Sequence, residues 1–127
     1  MVVFDTSLLI DASRKKKYVF DLIGSYLGKE RIATTIITKY ELLRGASKRN
    51  LSFVLELLSR FVVLDLGEAA VDEAVKAYKN LSEKGKTISE LDFLIVGIAV
   101  ANNETLVTGD KDFLKLKSDR ITVLPQH

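Results

Sequence analysis

Four acids interrupt otherwise apolar or cap-like stretches of this 127-residue chain: Asp5, Glu41, Asp92 and Asp110. Asp5 follows Val2-Val3-Phe4 and precedes Thr6-Ser7, while Asp110 follows Thr108-Gly109. Carboxylates pressed together repel, and they raise one another's pKa unless a cation neutralises them. A hard divalent ion with oxygen ligands is the natural counterion. Mg²⁺ takes one or two direct carboxylates plus waters and phosphate oxygens, and Mn²⁺ accepts the same ligand type. Such a centre lowers the pKa of a bound water, holds a phosphate oxygen and stabilises a leaving group. Phosphodiester hydrolysis is therefore the leading chemistry for this set. Thr6 and Ser7 beside Asp5, and Thr108 near Asp110, then serve to orient an acid or a water.

Each acid taken alone also has a structural role open to it. Asp5 can cap a helix that follows the first strand, with Thr6 and Ser7 as further caps. Thr38-Lys39-Tyr40-Glu41 and Ser89-Glu90-Leu91-Asp92 both match the capping-box spacing, in which the acid bonds back to the cap. Asp110 after a glycine fits a turn. The functional reading comes from the four together, because the pattern sets all of them along the carboxyl edge of one sheet.

What the chain lacks narrows the chemistry further. It has no cysteine, which excludes disulfides, thiol nucleophiles and cysteine zinc sites. The sole histidine is His127, the last residue, and termini are poorly held. Acid–base or metal chemistry must rest on carboxylates, hydroxyls and lysines. A net charge of +2 is too mild to establish nucleic-acid binding by itself. The basic clusters at 14–17, 48–49, 84–86 and 111–120 read first as solvated helix ends and loops. No apolar run approaches the ~20 residues of a membrane span. The opening residues lack the basic segment and cleavage site of a signal peptide, so a cytoplasmic protein of one domain, 1–127, is expected.

The elements that must carry these acids follow from periodicity. Val2-Val3-Phe4 suits a buried strand, and a short helix runs to residue 13. Helical spacing covers 16–27, 36–46, 50–60, 68–84 and the strongly apolar 89–101, which should be the most buried helix. Further strands fall at 32–35, 61–64, 105–108 and 121–124, with a tight turn over 109–112 and a short helix over 113–116. Strands alternating with helices imply crossover connections. The expected fold is a three-layer α/β/α domain around a mostly parallel five-stranded sheet.

Four stretches resemble, in order and spacing, the motifs of PIN-domain nucleases. They are Phe4-Asp5-Thr6-Ser7-Leu8-Leu9-Ile10, Tyr40-Glu41-Leu42-Leu43-Arg44-Gly45-Ala46, Leu91-Asp92-Phe93-Leu94-Ile95 and Val107-Thr108-Gly109-Asp110-Lys111-Asp112-Phe113. The match is nearest to the VapC toxins of type II toxin–antitoxin systems and spans nearly the whole chain. The resemblance implies a Mg²⁺- or Mn²⁺-dependent endoribonuclease acting on RNA, a homodimer, and inhibition by a small VapB-like antitoxin. It places the family's catalytic and metal-binding acids on Asp5, Glu41, Asp92 and Asp110, and its hydroxyls on Thr6 or Ser7 and on Thr108. Asp112 is a looser, auxiliary match. Arg44 and Lys111 lie nearest the motifs and are the first candidates for RNA phosphates, with Lys39 and Lys86 behind them.

Asp11, Asp65, Asp72, Glu73 and Glu90 fit helix surfaces, first turns or a loop and are left out of the site. A phosphorylated receiver domain would use Asp65, yet this chain offers no matching lysine after its fifth strand. A haloacid-dehalogenase-type phosphatase would need an acid where Ser7 stands. The remaining alternative is a PIN-like module that binds RNA or protein without cutting, which the complete acid set disfavours.

Overall fold

Short charge-free runs form every strand: β1 (Val2–Phe4), β2 (Ile32–Thr35), β3 (Val62–Leu64), β4 (Thr105–Thr108) and β5 (Ile121–Val123). The computed structural model describes residues 1–125, so His127 lies outside the described residues. All four strand pairings are parallel, in the order β3-β2-β1-β4-β5. The sheet is thus wholly parallel, where the sequence led us to expect a mostly parallel one.

Parallel strands covered on both faces read as continuous apolar runs, and the register shows where each residue goes. Val3 lies opposite Ala33 and Leu106, and all three are buried in one core. That core is closed by Ala74 and Leu81 of α5 (Glu68–Glu83) and by Phe93, Ile95, Val96 and Ala99 of α6 (Glu90–Ala101). Val2, Phe4, Ile32 and Val107 point to the opposite core. Four helices cover it: α1 (Thr6–Ser13), α2 (Lys17–Tyr26), α3 (Ile36–Gly45) and α4 (Leu51–Ser59). Three layers result, as expected.

Helix α6 is apolar all round because it touches β2 and β4 on one side and α5 on another. Residues 95–99 are buried without a break. Its approach to α5 depends on Gly97: a Cβ there would stand 2.2 Å from the Ala70 carbonyl oxygen and 3.0 Å from the Ala74 Cβ.

The chain leaves the central strand β1 in one direction, through β2 and β3, then returns to build β4 and β5 on the other side. The crevice between the carboxyl ends of β1 and β4 is therefore the topological switch point, where open α/β sheets bind ligands. Asp5 follows β1 directly, and Asp110 lies two residues beyond β4.

Candidate active site

Asp5 is 2% exposed and is held from three directions. With extended backbone it caps α1, its Oδ1 accepting the Thr6 backbone N–H. Its Oδ2 accepts the Ser7 hydroxyl at 3.0 Å and the Thr108 hydroxyl. The far strand closes the clamp. Asp5 N donates to the Val107 carbonyl at 3.0 Å, Gly109 N donates to Ser7 Oγ at 3.0 Å, and Asp110 N donates to Thr108 Oγ1 at 3.0 Å. Asp110 in turn caps the 3₁₀ helix Lys111–Leu116 by accepting the Asp112 N–H at 2.9 Å.

The capping box that Thr38 and Glu41 match in spacing does not form. Thr35, the last residue of β2, caps α3, accepting the Thr38 N–H at 3.1 Å. Helix α3 therefore starts three residues earlier than a Thr38 cap implies, and Glu41 falls in its second turn. Thr38, freed from capping, turns inward and pairs with Thr6 Oγ1 at 2.9 Å, and Thr6 Oγ1 donates to Glu41 Oε1 at 2.8 Å. At α6 Ser89 does act as the cap, its Oγ accepting the Asp92 N–H at 3.2 Å.

Electrostatics tie the acids together. Burial pushes the Asp5 carboxyl up to about 6; the Thr108 and Ser7 hydroxyls work against this, and the charge of Asp92 adds to it. Asp92 is also raised, first by burial, with Ser89 opposing and with Asp110, Glu41 and Asp112 each adding their repulsion. Asp92 is thus the point where the fields of the other acids meet. Among the described residues, no three Asp, Glu or His side chains are grouped closely enough to form a ready-made metal cage. Mg²⁺ does not require one, since it binds through one or two carboxylates and keeps several waters. The donor set here, carboxylates and hydroxyls with no soft ligand, fits that kind of ion.

The basic residues singled out from the sequence stay at the periphery. Arg44, Lys111, Lys39 and Lys86 are exposed. The Arg44 guanidinium lies 5.2 Å from the ring centre of the equally exposed Tyr40. Asp112 is exposed too, and its carboxylate stands 3.5 Å from Lys115 Nζ.

Two features went unread. Asp11, set aside as a surface acid, accepts the Tyr18 hydroxyl and lies 3.4 Å from Lys16 Nζ. With Ser7, Arg14 and Gly109 it lines a cavity of about 390 Å³ beside the acidic edge. The signal was available, since Ser7 and Asp11 are four residues apart on one helix face. The other is the Thr35–Thr38 pair, whose hydroxyls meet at the buried end of β2.

A parallel three-layer domain with clamped acids at its switch point defines the class: an α/β domain with an acidic site where ligands gather. Residues 2–118 match the sequence profile of the PIN domain, and the chain belongs to that family. Ribonuclease VapC1 of Methanocaldococcus jannaschii is 31% identical over 118 residues, spanning 91% of this chain and 81% of that protein. Among solved structures, VapBC2 from Rickettsia felis, bound to a DNA fragment from its promoter, superposes with a TM-score of 0.86 at 24% identity. The match covers 98% of each chain and is a likeness of fold. DNA-bound VapBC from Salmonella typhimurium gives 0.84 at 25% identity, over 97% of this chain and 96% of that one.

Proposed function

We propose that this chain is a Mg²⁺- or Mn²⁺-dependent endoribonuclease whose site is Asp5, Glu41, Asp92 and Asp110, and that it acts as the toxin of a VapBC-type pair. The observation that carries the reading is the buried Asp5 carboxylate, held by three donors at the switch point of the sheet, beside an Asp92 carboxyl that burial, and then the charges of Asp110, Glu41 and Asp112, push up. Folding places negative charges together at a cost that a bound cation offsets. Membership of the PIN domain family and the likeness to Ribonuclease VapC1 support ribonuclease activity.

When bound, the ion would lower the pKa of a water and offset charge growing on the phosphate oxygens. The remaining work falls to the chain. Asp5, unable to rotate, offers a fixed oxygen at the end of β1, and Ser7 and Thr108 keep that oxygen aimed. Asp92, in the first turn of α6 with the charges of Asp110 and Glu41 about it, would hold the ion together with Asp5. Arg44 and Lys111 at the rim attract the RNA backbone, a salt-dependent contribution.

The partner we assign is a VapB-like antitoxin, on the strength of the VapBC structures that share this fold. We expect a homodimer acting in the cytoplasm. No helix among the described residues is long and apolar enough to cross a membrane.

The test is cleavage of structured and unstructured RNAs with Mn²⁺ or Mg²⁺, beside Asp5→Asn and Asp92→Asn. Both variants should lose at least 10-fold in rate, roughly the lower bound for residues that hold a metal's ligands in place, and chelator should abolish cleavage. Wild-type rates in both variants would overturn the site. Light scattering on the same preparation should report twice the 14.2 kDa chain mass. A chain that binds RNA without cutting it under any of these conditions is the non-catalytic module.

A further inference from the structure

Three threonines lie beneath the acidic edge, withdrawn from water: Thr35 and Thr38 are 0% exposed and Thr6 is 7% exposed. Their hydroxyls form one line. Thr35 Oγ1 is 3.2 Å from Thr38 Oγ1, Thr38 Oγ1 is 2.9 Å from Thr6 Oγ1, and Thr6 Oγ1 is 2.8 Å from Glu41 Oε1. Each hydroxyl has a single proton to donate, whereas an ionised carboxylate only accepts. Thr6 therefore donates to Glu41, Thr38 must donate to Thr6, and Thr35 to Thr38. The line is anchored at its start by the Thr38 N–H, which donates to Thr35 Oγ1 at 3.1 Å. Every O–H then points toward Glu41, and hydrogen bonds aligned in this way polarise and strengthen one another.

We infer that Thr38 is a positioning residue of the acidic site: through Thr6 it holds the Glu41 carboxylate in place at the sheet edge. The inference rests on the proposed role of Glu41 as a site acid. Among the four acids Glu41 has the longest side chain, and it rises from the second turn of α3 rather than from a strand end or helix start. It needs an outside brace. Thr6 and Thr38 are β-branched, hence stiff about χ1, and their contact joins α1 to α3 across 32 residues of sequence. A methyl group in place of the Thr38 hydroxyl would meet Thr6 Oγ1 at a distance suited only to a hydrogen bond. It would displace Thr6 and leave its buried oxygen without a donor.

The test measures Mn²⁺ affinity by electron paramagnetic resonance without RNA, together with thermal unfolding and the kcat and KM of cleavage. Thr38→Val should weaken Mn²⁺ binding roughly 10- to 100-fold, the span typical of groups that orient a metal's ligands. It should lower kcat with little change in KM for RNA, and Thr38→Ser should restore both. Thr38→Ala removes the hydroxyl without the added methyl contact and carries the test if the valine variant does not fold. Thr34, also 0% exposed, donates to the Phe4 carbonyl at 2.8 Å outside this line. Thr34→Val should therefore lower the melting temperature and leave Mn²⁺ affinity unchanged. Wild-type Mn²⁺ affinity in folded Thr38→Val or Thr38→Ala, while Glu41→Gln binds weakly, overturns the positioning role alone. Wild-type affinity in Glu41→Gln overturns the assignment of Glu41 as well.

Discussion

The buried Asp5 carboxyl explains how one residue can be cap and site acid together. Capping geometry fixes Oδ1 on the Thr6 N–H, and that leaves Oδ2 to be aimed by Ser7 and Thr108. Its folded pKa, about 6, stands above the ordinary 3.8. The folded metal-free chain therefore holds this proton more tightly than the unfolded chain does. That contribution to stability is complete below about pH 4 and is lost as pH rises through about 6. A divalent cation needs the ionised form, so its effect runs the other way. The rise in melting temperature on adding Mn²⁺ should be small at pH 5 and grow as pH passes 6; an equal rise at pH 5 and pH 7.5 contradicts the proposed role of Asp5. At this scale the hydroxyl partners Ser7 and Thr108 were legible because Ser7 lies two residues after Asp5 and Thr108 two before Asp110, whereas the Thr6 hydroxyl, expected beside Asp5, goes to Glu41 instead. Thr38 was not legible, because its spacing to Glu41 satisfies a local capping pattern equally well. The cap at Thr35 and the contact with Thr6 decide against that pattern.

Among the elements, α6 governs how the site is held, because its first turn carries Asp92 and its middle is locked to α5. Gly97 allows that lock. Gly97→Ala pushes a methyl group into the Ala70 carbonyl, a backbone atom that cannot swing aside. The expected cost is about 1–3 kcal/mol, the usual range for overpacking, read as a lower denaturant midpoint. A midpoint equal to or above wild type contradicts the close approach of α5 and α6. The five strands were legible as charge-free, β-branched runs, and the burial of α6 as an apolar stretch with no polar face. Nothing in the sequence singles out Gly97, because what it must clear lies on the preceding helix, at Ala70 and Ala74. Helical spacing set the start of α3 at residue 36, where the structure has it; only its cap was hidden, because Thr35 ends a strand and begins a helix at once.

For the molecule as a whole, the strand order matters most. Alternating strands and helices announced a parallel sheet, but nothing in their lengths says that β1 lies at the centre with β4 beside it. That adjacency brings Asp5 and Asp110, 105 positions apart, to the same crevice. Repulsion among the acids would oppose this arrangement in water alone. The account therefore turns on a divalent ion among the acids. The most direct measurement is anomalous diffraction from a crystal soaked in Mn²⁺. The account predicts an anomalous peak within coordination distance, about 2.0–2.3 Å, of at least one carboxylate oxygen of Asp5 or Asp92, with Glu41 and Asp110 around it. A soaked crystal with no peak among the four acids, under conditions where the protein cleaves RNA, would contradict it.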